Sequence, residues 1–385
     1  MAAGSRRAAA FALARWILTK EFAPSLLPDG PDRSFIQDLV YTSIRRLRPL
    51  RLVLGELVRK WPKGELEALL YIGGAQILYM NDVPDFAAVS ETVEAAKSAG
   101  GASSSVVNGV LRNLIRRREE FENLIASSPL EVRESFPTQL VRRWVSRFGE
   151  ENAAALCRIH NEPAQTYIAR RDGTYVSLER GCRVDSVPGY ASGEFIVQDP
   201  AARHAVELLD IHEGERVLDT CAAPGGKAVQ IAWRGADLTA CEVNPKRKRR
   251  LEENLARLSL DSVKTISALP DPKDGLFDKV LVDAPCSNTG VLRRRPDARW
   301  NWSLEKLNAL VELQSSILDS AAKLVSPGGI LVYSTCSNEI EENSAQAKAF
   351  LERNSSFVAA GERESLPFET GEDGAYAAAF IRKSS

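Results

Sequence analysis

The run Val217-Leu218-Asp219-Thr220-Cys221-Ala222-Ala223-Pro224-Gly225-Gly226-Lys227 decides the fold. Its first three residues read as a short buried strand, and a helix runs from Lys227 to Trp233. The paired glycines between them let the backbone approach a ligand at the start of that helix. A second strand, Thr239 to Glu242, completes a βαβ unit. Asn244-Pro245 then caps a helix with the apolar face Leu251, Leu255 and Leu258, Pro standing in the first turn, where its missing N–H costs nothing. Phe277 to Asp283 and Gly329 to Ser334 are further buried strands, separated by a helix from Ser303 to Val325. Residues 198–385 therefore predict an α/β domain, doubly wound around a mostly parallel sheet.

In such a sheet, ligands sit beyond the carboxyl ends of the strands, so the residues leaving each strand carry the functional information. Glu242 lies 23 residues beyond Asp219, close to the roughly 20 expected when a strand-end acid follows a glycine loop and meets ribose hydroxyls. Glycine loop and acid together are shared with nicotinamide enzymes. A phosphate-binding loop needs Gly at 221 and Ser or Thr at 228, where the chain has Cys221 and Ala228. The G-x-G-x-x-G fingerprint of dinucleotide binders is also absent.

Outward from this core, the 385 residues are 44% apolar and 26% charged, which describes a water-soluble globular chain of two or three domains. No window approaches the roughly 18 apolar residues of a membrane span, and Arg15 cuts short the one stretch that resembles a secretory leader. Six cysteines, none in CxxC spacing, predict no metal and a reduced, cytoplasmic protein; Cys157 and His160 read as structural. Residues 1–118 carry net charge +6 and the remainder −7. That split suggests separate domains with different partners, or plain variation in solvated surface. From Arg7 to Arg118, apolar pairs at helical spacing (Leu13 with Ile17, Phe11 with Leu18, Leu66 with Leu70) predict four or five helices. The expected breaks are Pro24–Pro31, Pro62–Gly64, Asp82–Asp85 and Gly100–Ser105. Residues 119–197 read as a connector and small RNA-contacting module, with Arg142, Arg143 and Arg147 around Trp144 as either an RNA contact or a solvated helix face.

Two further strand ends carry thiols: Asp283-Ala284-Pro285-Cys286 and Ser334-Thr335-Cys336-Ser337. If these strands are neighbours, both sulfurs open onto one pocket, which invites covalent catalysis. With the Cys221–Lys227 loop they resemble the Sun family (RsmB/Fmu type) of S-adenosylmethionine-dependent RNA cytosine-5 methyltransferases. Val197-Gln198-Asp199-Pro200, Thr289-Gly290-Val291-Leu292-Arg293-Arg294, Pro296-Asp297, Trp300 and Glu341-Glu342-Asn343 extend the match over Gln198 to Asn343 in the family's order. Glu91-Thr92-Val93-Glu94-Ala95-Ala96-Lys97 and Val107 to Leu114 resemble the NusB-type RNA-binding helical domain, over about the first 118 residues.

The resemblance implies a class I methyltransferase of Rossmann type joined to a NusB-like domain. It implies S-adenosylmethionine held by Cys221, Ala222, Ala223, Pro224, Gly225, Gly226, Lys227, Glu242 and Asp283, and RNA, of ribosomal type, met by Arg293, Arg294, Asp297 and Trp300. A monomer is expected. In this reading Cys336 attacks carbon 6 of cytosine, Cys286 aids release, Asp283 lies between cofactor and base, and Lys227 faces the base. A free thiol titrates near pH 8.5. Asn338 with Glu341 is expected to form a capping box that sets Cys336 before a helix start, with Glu339, Glu341 and Glu342 opposing. The run Lys246-Arg247-Lys248-Arg249-Arg250 reads as an RNA contact or a face balanced by Glu252 and Glu253.

Four departures from the family stand out. The adenine-side acid falls at Ala268, Ala228 replaces Thr, Ala375-Tyr376-Ala377 replaces a more aromatic closing strand, and the segment from Arg170 to Val197 is short. Two other readings stay open: the same fold acting on DNA cytosine or protein, with Cys286 as nucleophile, and an RNA-binding protein without turnover.

Overall fold

The computed structural model describes residues 2–97, 101–179 and 181–384. Two compact units emerge, one built from the chain up to Glu162 with Leu292–Trp302, the other from Pro163–Val291 and the chain from Ser303 onward. The expected boundaries at 118 and 197 differ from this division. The connector helices close the core of the helical unit, and a segment distant in sequence joins them there.

The helical unit contains α1 (Ala2–Thr19), α2 (Arg33–Arg45), α3 (Leu47–Gly55), α4 (Glu65–Tyr79), α5 (Asp85–Lys97), α6 (Gly101–Arg116), α7 (Arg118–Ala126), α8 (Leu130–Arg133) and α9 (Thr138–Asn161), the last broken at Gly149. More helices fill the front stretch than expected, because α2 and α3 meet at Arg46 without a turn former. Of the expected breaks, Gly100 lies outside the described residues and Ser105 is inside α6. The central helix is α4: Leu69, Leu70, Ile72 and Ala75 are buried, and a Cβ at Gly73 would lie 2.5 Å from Leu111 of α6. The expected pair Phe11 and Leu18 faces solvent, 67% and 85% exposed, while Leu13 and Trp16 fill the core. Trp144 is buried against Phe136 and His160, so of the two readings of this stretch the RNA contact loses the exposed aromatic it needs.

Residues 292–302 are held inside this unit by polar anchors. The buried Arg299 stacks 3.8 Å from the centroid of the Phe136 ring. It donates to the backbone oxygens of Ser135 and His160 and to Asn161 Oδ1 at 3.3, 2.9 and 2.8 Å. Burial pulls its pKa well below the ordinary value. Trp300 Nε1 donates to the Ile44 oxygen at 3.0 Å.

The sheet unit opens with a three-stranded antiparallel sheet ordered β2-β1-β3, from β1 (Tyr167–Arg170), β2 (Tyr175–Ser177) and β3 (Phe195–Val197). There follow α10 (Arg203–Leu208), β4 (Arg216–Asp219), α11 (Gly226–Trp233), β5 (Asp237–Cys241), α12 (Pro245–Arg257), β6 (Lys264–Ile266), β7 (Phe277–Asp283), α13 (Leu304–Ala322), β8 (Val325–Thr335), α14 (Ser344–Arg353), β9 (Phe357–Ser365), α15 (Pro367–Thr370) and β10 (Ala375–Arg382). Their seven-stranded sheet is ordered β6-β5-β4-β7-β8-β10-β9. It is parallel from β6 to β8 and antiparallel at β10 and β9. The expected doubly wound, mostly parallel architecture is therefore present. Strand residues alternate between the two faces. Val217, Leu238, Leu281 and Val332 pack with Val229, Leu251 and Leu255, while Leu218, Val280, Val282 and Tyr333 pack with Leu318, Ala321 and Phe350. Each such side chain contributes about 1.5–3 kcal/mol by leaving water. Strand order reverses between β4 and β7, the point where open α/β sheets bind ligands.

Candidate active site

The backbone of the first loop is shaped for close approach. Gly225 has φ +113°, and a Cβ at Gly226 would sit 3.1 Å from Gln198 Nε2. Asn244 accepts from the backbone N–H groups of Lys246 and Arg247 at 3.0 and 3.1 Å, the expected cap of α12.

Two carboxylates end β4 and β5. Asp219, almost fully buried, accepts at Oδ1 from the Cys221 N–H at 3.2 Å, while Oδ2 has no hydrogen-bond partner. Burial, followed by repulsion from Asp283, pushes its pKa up to about 7. Glu242, equally buried, accepts at Oε1 from the Asn244 N–H at 2.9 Å; its Oε2 lies 3.3 Å from Arg247 Nε without a hydrogen bond. Arg247 also donates to the Ala223 oxygen at 2.9 Å. Lys248 pairs with Glu252 at 3.0 Å and Arg249 with Glu253 at 2.8 Å, so much of the basic run is tied within its own helix or to this loop. Two buried carboxylate oxygens without hydrogen bonds beside a glycine cradle fit a nucleoside cofactor that brings donors.

At the ends of the neighbouring strands β7 and β8, Asp283 is in register with Ser334. The thiols that follow them meet, with Cys286 Sγ and Cys336 Sγ 3.3 Å apart. Cys286 is buried and Cys336 half-buried. Hydrogen bonding to Cys336, then burial, raises the Cys286 pKa well above the ordinary thiol value, with Glu342 adding to the effect. Lys227 Nζ pairs with Asp283 Oδ1 at 2.7 Å. Burial works against the Lys227 ammonium, but attraction to Asp283, Cys336 and Asp219 outweighs it and holds the pKa above the ordinary value. Cys221 is no third nucleophile, since burial pushes its pKa up to about 12.

The expected capping box does not form. Asn338 Nδ2 donates to the Thr289 oxygen at 3.2 Å, and the turn that follows is the three-residue Ile340–Glu342. Helix-dipole help for Cys336 is therefore absent, and Lys227 supplies the positive charge instead. Asn288, at φ +59°, brings its Oδ1 to 3.4 Å from Cys336 Sγ and donates to the Cys286 oxygen at 2.8 Å. A small cavity of about 70 Å³ has Lys227, Cys336, Asp199, His204, Asp373 and Tyr376 in its wall. A larger cavity, about 630 Å³, is lined by Arg133, Arg142 and Glu150 of the helical unit and holds no thiol.

The residues expected at RNA belong to the helical unit. Arg293 and Asp297 are buried there, Arg295 pairs with Asp297 at 3.2 Å, and Trp300 uses its N–H on Ile44. The two aspartates that follow Ala268, where the adenine-side acid is missing, have a local role or lie in solvent. Asp271 accepts from the Lys273 N–H at 2.9 Å, and Asp274 is exposed. His204, Asp373 and Asn288 carried no motif signal of function, and Glu342 only that of the Glu341-Glu342-Asn343 match, because the fold alone gathers them near the thiols.

Comparison with known proteins agrees with this geometry. Residues 206–380 match the family described as 16S rRNA methyltransferase RsmB/F, and residues 3–116 match the NusB family. Ribosomal RNA small subunit methyltransferase B of Vibrio vulnificus is 32% identical over 394 residues, 92% of this chain and 92% of its own. The chain belongs to the RsmB/F methyltransferase family. The Vibrio cholerae enzyme of the same name is 33% identical over 91% of the chain and 90% of its own. Among solved structures, PH0851 shares the fold over 98% of both chains, with a TM-score of 0.78 and 21% identity. NSun6 from Pyrococcus horikoshii, solved with SFG, covers 65% of this chain and 99% of its own at a TM-score of 0.56 and 18% identity. The chain is thus an rRNA methyltransferase that uses S-adenosylmethionine. Among the described residues no cluster could hold a metal ion, and no helix is long and apolar enough to cross a membrane.

Proposed function

We propose that the chain methylates carbon 5 of cytosine in small-subunit ribosomal RNA through a covalent Cys336–cytosine adduct, released with help from Cys286. The observation that carries this reading is the 3.3 Å separation of the two sulfurs at neighbouring strand ends. A methyltransferase acting on a ring oxygen or an amino group needs no thiol pair, whereas carbon 5 of cytosine is a poor nucleophile until a thiolate has added to carbon 6.

Cys336 sulfur bonds to carbon 6, and the displaced electron pair makes carbon 5 nucleophilic. Bound S-adenosylmethionine supplies an electrophilic methyl group. Lys227, kept charged by Asp283, attracts the Cys336 thiolate. Its ammonium and the Asp283 carboxylate can also meet the polar edge of the ring. After transfer, the carbon 5 hydrogen leaves as a proton to a base, the carbon 6–sulfur bond breaks, and the electron pair returns to Cys336. Cys286, held in its thiol form by its raised pKa, donates its S–H to the departing sulfur and stabilises that thiolate. Cys221–Lys227 and Glu242 are the proposed cofactor contacts. Arg294, partly exposed, is the proposed RNA contact from its segment. The proposed working form is a cytoplasmic monomer, consistent with free cysteines throughout.

Nucleoside analysis of small-subunit RNA after reaction tests the proposal. 5-Methylcytidine, with loss of tritium from [5-³H]cytosine to water, is expected. A methyl group on N4 or on a ribose oxygen contradicts it.

A further inference from the structure

Each catalytic thiol is followed by a serine, Cys286-Ser287 and Cys336-Ser337, and both serines end on the same oxygen. Ser287 Oγ and Ser337 Oγ donate to Glu342 Oε2. On Oε1, Glu342 accepts from the Ser287 N–H at 2.8 Å and from Gln314 Nε2 of α13 at 3.0 Å. The Glu342 side chain is fully buried, and among the described residues no cation pairs with it. Around it, Ser287, Thr289 and Ser337 hydroxyls lie 3.1–3.3 Å apart, and the Tyr333 hydroxyl donates to the Glu342 backbone oxygen at 2.6 Å. Four neutral donors aimed at one group match a side chain that offers two acceptor oxygens. A buried charge without a partner ion is costly and persists only when such hydrogen bonds satisfy it.

We infer that Glu342 is a positioning residue: it clamps the loops after β7 and β8 together and so fixes the Cys286–Cys336 separation at which attack and release operate. It touches neither sulfur by hydrogen bond and acts one residue away from each. The inference rests on the proposed use of both thiols, but the clamp itself can be examined without RNA.

The experiment compares wild type with Glu342→Ala, Glu342→Gln and Ser337→Ala, with Cys286→Ala and Cys336→Ala as controls. Phenylarsine oxide condenses with two adjacent thiols, forming two As–S bonds and releasing water, so its capture reports sulfur separation. Expected in Glu342→Ala are at least ~10-fold weaker capture and a ~10²-fold fall in kcat, the size of loss that small misplacement produces, with S-adenosylmethionine affinity and RNA KM within about 3-fold of wild type. Glu342→Gln, which keeps one acceptor oxygen, and Ser337→Ala, which keeps one arm, fall between. Capture in Glu342→Ala equal to wild type overturns the inference. So does a parallel loss of cofactor binding in all three variants, which marks a merely structural residue. If capture follows the clamp while Cys286→Ala forms no RNA adduct, the clamp stands and the attack mechanism alone fails.

Discussion

Asp219, Glu242 and Glu342 are all buried at the carboxyl ends of sheet strands or in the loops leaving them, and they are treated differently. Asp219 and Glu242, beyond β4 and β5, each keep an oxygen with no hydrogen bond. Glu342, beyond β8, has both oxygens filled by four donors. Folding tolerates a hungry buried carboxylate only at a cost, so the first pair reads as a surface prepared for a ligand and the last as scaffold. The same contrast separates the thiols from Cys157 and Cys241, which burial above all leaves inert, with pKa values pushed up to about 12 and about 11, Asp219 and Glu242 adding to the rise at Cys241.

Substitutions can break this contrast, and the largest effect belongs at the thiol side. Lys227→Met removes the charge beside Cys336 and leaves Asp283 unpaired; a fall in kcat of about 10²–10³-fold is expected in methyl-incorporation assays. A change confined to KM would show that Lys227 only binds substrate. Next, Glu242→Gln should weaken S-adenosylmethionine binding about 10-fold by calorimetry while leaving the melting temperature of the free protein equal or higher. A lower melting temperature with unchanged affinity would make Glu242 scaffold like Glu342.

The smallest effect is electrostatic. The Asp219 pKa is raised in the fold to about 7, so below about pH 4 the carboxyl is protonated whether folded or not, and ionisation opposes folding as pH rises toward 7. Asp219→Asn keeps an acceptor for the Cys221 N–H and removes that opposition. The variant should therefore melt a few degrees above wild type at pH 8, with the gap closing toward pH 4. An equal gap at both pH values would show that ionisation of Asp219 carries no cost.

Much of this was legible in the chain because it is local. Val217–Asp219 and Phe277–Asp283 are short apolar runs closed by an acid and turn formers, and each appears as a strand within a residue of its expected bounds. The Asn244 cap also needs only neighbours in sequence. What the chain hid depends on distant partners. Around Trp144 the sequence left an RNA contact and a solvated helix face open, and only the structure shows Phe136 and His160 covering the ring. Nothing local marks Arg299 as buried, and its carbonyl partners lie at residues 135 and 160. Asn338 and Glu341 had capping-box spacing, yet Thr289, from another loop, engages the Asn338 amide and backbone. Glu342 was legible as part of the Glu341-Glu342-Asn343 match but without a role; only the meeting of two loops makes it the point where both thiol loops are held.

The central claim, that Cys336 attacks and Cys286 releases, is tested most directly by a denaturing gel of protein and small-subunit RNA with S-adenosylmethionine. A protein–RNA adduct should accumulate with Cys286→Ala and vanish with Cys336→Ala. The opposite pattern, an adduct that persists without Cys336 and disappears without Cys286, would contradict the account.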